Sequence, residues 1–179
     1  MAWSAWSRDQ RITALFEQHY VELCRLARLL VDDPGSSEEL VQEAFLKTFA
    51  SWGRMRDPDK AFWYVRRAVV NLARSRLRRN KVERQGNAVV WQQQWAPAKG
   101  EWDPDRREQV LAVLEAVRAL SPRQREIVVL RYYSDLLESD IASLLGCSIG
   151  TVKSQLARAR HKLSDQLSSE WRQSEGPGR

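Results

Sequence analysis

Apolar residues fall at helical spacing along most of this chain. Ile12, Leu15, Phe16, Tyr20, Leu23, Leu26, Ala27 and Leu30 recur at i, i+3 and i+4, which marks one buried helix face. Asp33-Pro34-Gly35 breaks that pattern, and Ser36-x-x-Glu39 reads as a capping box that opens a second helix. The second helix is expected to reach about Trp52, with Leu40, Val41, Ala44, Phe45, Thr48, Phe49 and Trp52 on one side. Gly53 to Asp59 is polar and holds a proline, so a loop is expected there, followed by a third helix over about Ala61–Arg79.

The periodicity disappears from Asn80 to Pro104, where Gln85-Gly86-Asn87, Pro97, Gly100 and Pro104 read as linker. Trp91, Trp95 and Trp102 are unusual for a plain linker, so docking of this segment stays open. Helical spacing resumes near Asp105, with Val110, Val113, Leu114, Val117 and Leu120 on one face. Ser121 is the expected N-cap of the next helix, Pro122 its first residue and Gln124 the partner in a capping box. That helix carries Ile127, Val128 and Leu130 and ends near Tyr133. Two short helices follow, over about Glu138–Leu145 and Ile149–Leu167. No strand pattern competes. The expected fold is all-α: an N-terminal helical bundle (1–80), a flexible linker (81–104), a C-terminal helix-turn-helix domain (105–168) and a disordered tail (169–179).

Composition narrows the function classes. The 179 residues carry a net charge of +6, which points to nucleic acid, an acidic partner or an anionic membrane. No apolar run approaches the ~20 residues that span a bilayer, and the N-terminus has no apolar stretch typical of a secretory signal. Cys24 and Cys147 lie far apart, which fits two reduced cytosolic thiols better than a disulfide or zinc site. His19 and His161 are also far apart, and there is no phosphate loop or nucleophile motif, so neither catalysis nor a cofactor is expected. The charge is local: residues 62–84 hold 8 basic residues against 1 acidic, while residues 1–61 hold 8 against 10.

Two stretches carry chemistry. In Ile141-Ala142-Ser143-Leu144-Leu145-Gly146-Cys147-Ser148-Ile149-Gly150-Thr151-Val152, Ala142 is small where two helices would approach and Gly146 tolerates the positive φ of a tight turn. Leu145 and Val152 would pack the helices together, and Ser148 would cap the second. Lys153, Ser154, Gln155 and Arg158 could then reach base edges or phosphates, and Thr151 a phosphate at the helix N-terminus. The plainer alternative is a helical hairpin with a solvated basic face. The other stretch is Phe62 to Arg79. Its Val65, Ala68, Val69, Leu72, Ala73 and Leu77 would face a core, leaving Arg66, Arg67, Arg74, Arg78 and Arg79 outside. Aromatics beside arginines can stack unpaired bases and hold their backbone; equally, Phe62 and Trp63 could simply close the core.

Taken together, these stretches resemble the extracytoplasmic-function sigma factors of the sigma-70 family, in wording most similar to an actinobacterial subgroup. The resemblance covers about residues 12–79 and 105–167. Pro34-Gly35-Ser36-Ser37-Glu38-Glu39-Leu40-Val41-Gln42-Glu43-Ala44-Phe45 is similar to the family's core-polymerase-binding helix. Tyr64-Val65-Arg66-Arg67-Ala68-Val69-Val70-Asn71 is similar to its minus-ten helix, and Gly146 to Gln155 to its minus-thirty-five reader. Leu120 to Glu126 with Val129 to Tyr133 resembles the first half of its fourth region.

The resemblance implies core RNA polymerase as a partner, through its β′ clamp helices and β flap, together with promoter DNA, both duplex and single-stranded. An anti-sigma factor is a partner the family often has. A cytoplasmic protein, with no membrane partner, is implied. Glu39, Leu40, Gln42, Glu43 and Phe45 would meet the polymerase. Trp63, Arg66, Arg67, Asn71 and Arg74 would serve the minus-ten element, with the Gly53–Lys60 loop capturing an unstacked base. Arg131, Thr151, Lys153, Ser154, Gln155 and Arg158 would serve the minus-thirty-five element. There are departures from the family pattern, among them the bulk of Trp63 just before the minus-ten helix. Leu137 occupies the place of the family's Ser or Thr cap, for which Ser139 would substitute, and Ala157 replaces a frequent aromatic. The competing readings are a stand-alone helix-turn-helix regulator, which would bind duplex tightly by itself, and a non-specific single-strand or RNA binder.

Overall fold

The computed structural model describes residues 7–31, 34–55, 57–79 and 104–174. Every regular element among them is helical, and the chain divides into two compact units, Met1–Gly86 and Asn87–Arg179. The expected linker, with Trp91, Trp95 and Trp102, lies outside the described residues except for Pro104.

The first unit is a three-helix bundle of α1 (Arg8–Leu30), α2 (Ser37–Ala50) and α3 (Ala61–Arg79), with 3-10 turns at Pro34–Ser36, Trp52–Arg54 and Pro58–Lys60. Its core joins Leu23, Leu26 and Leu30 of α1, Leu40 and Val41 of α2, and Val65, Val69 and Val70 of α3. Each such side chain contributes about 1.5–3 kcal/mol on burial. Phe16, expected on the inner face, is 37 % exposed. It sits at the rim, 4.5 Å from the Tyr20 ring and edge-on to Phe45 at 5.1 Å.

The helix starts show which capping signals operate. Ser7, extended at ψ 159, accepts from Gln10 N–H and donates its own N–H to Gln10, closing a capping box that the periodicity does not single out. The box expected at Ser36 does not form. Ser36 ends a 3-10 turn with ψ 0, so its side chain lacks the extended backbone that aims a cap at the helix. Arginines from the other two helices take the carboxylates instead: Arg76 meets Glu39 at 3.3 Å and Arg28 meets Glu38 at 3.3 Å. α2 stops at Ala50 rather than Trp52, where Ser51 Oγ donates to the Lys47 and Thr48 carbonyls and the chain tightens into the next turn.

The second unit comprises α4 (Pro104–Arg118), α5 (Pro122–Val128) with a π turn at Val129–Tyr133, α6 (Glu138–Leu145) and α7 (Ile149–Ser174). Leu120, Ile127, Leu130, Ile141, Leu144, Val152, Leu156 and Ala159 are buried. Val113, expected on the inner face of α4, is 41 % exposed. The Ser121–Gln124 capping box forms as predicted, with Pro122 leading the helix. Ser139 is not a cap. α6 begins at Glu138, where the periodicity places it, after Leu137 and with no side-chain cap; Glu138 and Asp140 place negative charge in its first turn, which complements the helix dipole. α7 continues to Ser174, so residues 169–174, expected in the tail, are helical. No Gly or Pro lies between Thr151 and Ser174, and propagation adds one hydrogen bond for each residue fixed.

Cys24 is buried in α1. Burial pushes its thiol above the ordinary range, partly opposed by a hydrogen bond with Tyr20. The Tyr20 hydroxyl is also raised, chiefly by burial and then by that same bond. The folded chain therefore holds these protons to higher pH than the unfolded chain does. The stability linked to them is full below the ordinary cysteine range and is lost as pH rises through the raised values. Urea unfolding from pH 8 upward should show this decline, with a shallower slope for Cys24→Ala. Alkylation of the native protein at pH 8, read by mass spectrometry, should label the half-buried Cys147 before Cys24; equal rates would contradict the packing of α1.

Candidate nucleic-acid interfaces

The buried half of α3 sets what the other half presents. With Val65, Val69, Val70, Leu72, Ala73 and Leu77 inward, Trp63, Arg67, Asn71, Arg74 and Arg78 follow one another at i+4 or i+3 along a single outer stripe. Arg67, Asn71, Arg78 and Arg79 are exposed, while Trp63, Tyr64 and Arg74 are half-buried. Arg66 is not on this surface. Its side chain is only 10 % exposed, its Nη2 lies 3.2 Å from Glu22 Oε1, and its guanidinium sits 4.3 Å from the Phe62 ring centroid. One residue is about 100° around a helix, so Arg66 and Arg67 point to different environments. Phe62 stacks on His19 at 3.9 Å and is therefore part of the bundle.

Directly ahead of α3 the chain forms a capped 3-10 turn, Pro58–Lys60, in place of the expected loop. Asp57 Oδ1 accepts from Asp59 N–H at 3.1 Å and Asp57 Oδ2 pairs with Lys60 at 3.1 Å, while Arg11 of α1 reaches Asp59 at 3.8 Å.

In the second unit, α6 and α7 form the predicted helix-turn-helix. Gly146 ends α6 at φ 63, ψ 47, and Cys147 N–H donates to the Ala142 carbonyl at 3.0 Å. Ala142, Leu145 and Val152 are buried in the joint. Ser148 caps α7: its Oγ accepts from Thr151 N–H at 3.0 Å and lies 2.9 Å from Thr151 Oγ1. With Val152, Leu156 and Ala159 inward, Lys153, Ser154 and Arg158 are exposed and Gln155 is half-buried. The Thr151 hydroxyl already shares a hydrogen bond with Ser148, so a phosphate would compete for it. Arg131 is half-buried in the π turn, where its Nη1 donates to the Leu136 carbonyl at 3.0 Å and lies 3.8 Å from Asp135. Asp135 itself adopts φ 47 to close that turn.

On α2, two of the residues expected at the polymerase contact face inward. Leu40 and Phe45 are 2 % and 7 % exposed and belong to the bundle core. Glu39, Gln42 and Glu43 do face outward, and Leu46, which the periodicity passes over, joins them at 68 % exposure. Leu46 was findable as an apolar residue out of register with Val41, Ala44, Phe45 and Thr48. Among the described residues, no cluster of three or more His, Cys, Asp or Glu could hold a metal ion, and no helix is long and apolar enough to cross a membrane.

Comparison with known proteins adds independent findings. Residues 15–83 match the family model of sigma-70 region 2, and residues 111–163 match that of sigma-70 region 4. The RNA polymerase sigma-E factor of Streptomyces avermitilis is 33 % identical over 147 residues, covering 82 % of this chain and 79 % of the relative. The ECF RNA polymerase sigma factor SigM of Mycobacterium tuberculosis is 33 % identical over 154 residues, covering 84 % and 74 %. The fold is similar to that of the sigma factor RpoE of Bartonella quintana, solved with the anti-sigma factor NepR: TM-score 0.64, 23 % identity, 85 % of this chain and 95 % of that one. It is likewise similar to CnrH, solved with the cytosolic domain of CnrY: TM-score 0.64, 24 % identity, 88 % of each chain.

Two mutational outcomes follow from this geometry. Leu40→Ala or Phe45→Ala should lower stability by about 2–5 kcal/mol through cavity formation, whereas Gln42→Ala and Glu43→Ala should leave the melting temperature nearly unchanged. Gly146→Ala should cost about 1–2 kcal/mol from backbone strain alone, because nothing lies within 4 Å of an added Cβ, and Gly146→Asn should cost less. Thermal unfolding checks both.

Proposed function

The chain belongs to the extracytoplasmic-function group of the sigma-70 family of RNA polymerase sigma factors, and on that premise we propose how its surfaces divide the work. A sigma factor binds core RNA polymerase and directs it to promoter DNA. The observation that carries our reading is a basic, outward-facing stripe on one helix of each unit, α3 in the first and α7 in the second.

The α3 stripe takes the non-template strand of the minus-ten element. Extruding a base costs a few kcal/mol, which stacking on Trp63 and hydrogen bonds from Asn71 offset. Arg67, Arg74 and Arg78 supply charge to the strand backbone. α7 enters the major groove of the minus-thirty-five duplex with Lys153, Ser154, Gln155 and Arg158 toward base edges and Thr151 near a phosphate. Arg131 positions the protein on the backbone without reading sequence. The α2 stripe of Glu39, Gln42, Glu43 and Leu46 meets the β′ clamp helices, and the second unit meets the β flap.

Nucleotide transfer belongs to the polymerase, and the chain supplies no catalytic group or cofactor to it. We infer a cytoplasmic protein. The solved complex of RpoE with the anti-sigma factor NepR supports a partner of that class for this chain as well. A stand-alone helix-turn-helix regulator is disfavoured, since it has no need of a region 2 unit.

In-vitro transcription with purified core enzyme tests this reading. Lys153→Ala with Arg158→Ala should lower promoter affinity at least about tenfold, each base contact being worth about 1–3 kcal/mol, with core binding unchanged. Leu46→Asp should weaken core binding while circular dichroism shows the fold intact. Unchanged transcription in the first variant, or unchanged core affinity in the second, would overturn the corresponding surface.

A further inference from the structure

Four side chains close a ring between α1 and the front of α3. His19 and Glu22 stand three residues apart on α1; Phe62 and Arg66 stand four apart on α3. The His19 and Phe62 rings stack at 3.9 Å with planes 23° apart. The Arg66 guanidinium lies 4.3 Å from the Phe62 centroid. Glu22 reaches both neighbours, with Oε1 at 3.2 Å from Arg66 Nη2 and Oε2 at 3.2 Å from His19 Nδ1.

The ring does more than add contact area. Arg66 is a buried cation whose Nε has no hydrogen-bond partner, so its charge depends on Glu22, and removing Glu22 would leave that buried charge uncompensated. The rear of α3 is held by Val69, Val70, Ala73 and Leu77. Its front has only Ala61 and Val65 as buried apolar residues, so the ring supplies the directional restraint there. Arg11, reaching Asp59 at 3.8 Å, ties the preceding turn to the same helix α1.

We propose that the Glu22–Arg66 pair, stacked against Phe62 and His19, is the positioning device for promoter-strand capture. It sets the rotation of the front of α3 and so presents Trp63, Arg67 and Asn71 together, while Arg66 itself does not touch DNA. This rests on the reading of the α3 stripe as the minus-ten surface. It also reassigns Arg66, which the sequence pattern places among the DNA contacts, to a role exerted through its neighbours.

The salt dependence of binding distinguishes a positioning arginine from one that contacts a phosphate. The chain is assembled with core polymerase, and its affinity is measured for a single-stranded oligonucleotide from the non-template strand of a promoter that it transcribes, over a salt series. Arg67→Gln should weaken capture and reduce the slope of log affinity against log salt by roughly 0.7, the value for one single-strand phosphate contact. Glu22→Gln and Arg66→Met should each weaken capture several-fold with the slope unchanged, and the double variant should be no worse than Arg66→Met alone. Core binding and minus-thirty-five duplex binding should stay within twofold, which separates positioning from loss of fold. If Arg66→Met does not fold, Glu22→Asp, which keeps the charge and shortens its reach, carries the same comparison. A slope reduced in Arg66→Met as in Arg67→Gln would make Arg66 a DNA contact and overturn the proposal. Full capture in the Glu22 variants, with Arg67→Gln and Asn71→Ala impaired, would also overturn it. If Arg67→Gln and Asn71→Ala are both silent, the reading of the stripe fails and the proposal falls with it.

Discussion

The setting of α3 about its own axis governs most of the first unit. Half of that helix is apolar and packs into the bundle, so burial, which is non-directional and large, decides its angle over the Val69–Leu77 part. Once it is fixed, five residues at three- and four-residue spacing necessarily share the outer side. The ionic and stacking contacts then refine what burial has set. Arg76 and Arg28 hold the carboxylates at the start of α2, and Arg66 is held by Glu22 at the front of α3. Two of the basic residues concentrated in residues 62–84, Arg66 and Arg76, are thus engaged by carboxylates of the bundle itself. The charge offered to DNA is smaller and better ordered than the composition implies.

In the second unit a single backbone angle has the comparable role. The positive φ of Gly146 turns the chain sharply enough for α6 and α7 to share Ala142, Leu145 and Val152. Ser148 Oγ then accepts from the Thr151 N–H, one of the free N–H groups at the start of α7. The exposed Lys153, Ser154 and Arg158 are a consequence of the inward register of Val152, Leu156 and Ala159. Both helices follow one rule: the buried register is set first, and the polar face is whatever remains.

The same short signal can succeed or fail according to its setting. Ser-x-x-Gln forms a capping box at Ser7 and at Ser121, where the serine backbone is extended. Ser-x-x-Glu at Ser36 does not, because a 3-10 turn delivers the serine in a helical conformation and Arg76 draws Glu39 away. Leu40 and Phe45 resemble family contact residues in the sequence, yet lie in the core. A short amphipathic helix offers its large apolar side chains to the bundle before any partner. Leu46, one position off the inner register, is the apolar side chain left over.

The order of the helices among the described residues, the helix-turn-helix with its glycine and cap, the extent of α3 and the clustering of basic charge were all legible in the sequence. Each depends on spacing or on residues within a few positions of one another. Tertiary structure decided which arginines reach solvent, which capping signal closes and which α2 residues face outward. Those outcomes turn on partners remote in sequence, as with Arg66 and a glutamate 44 residues away. Periodicity describes one helix about its own axis and carries no information about the counter-charge a neighbouring helix brings to it.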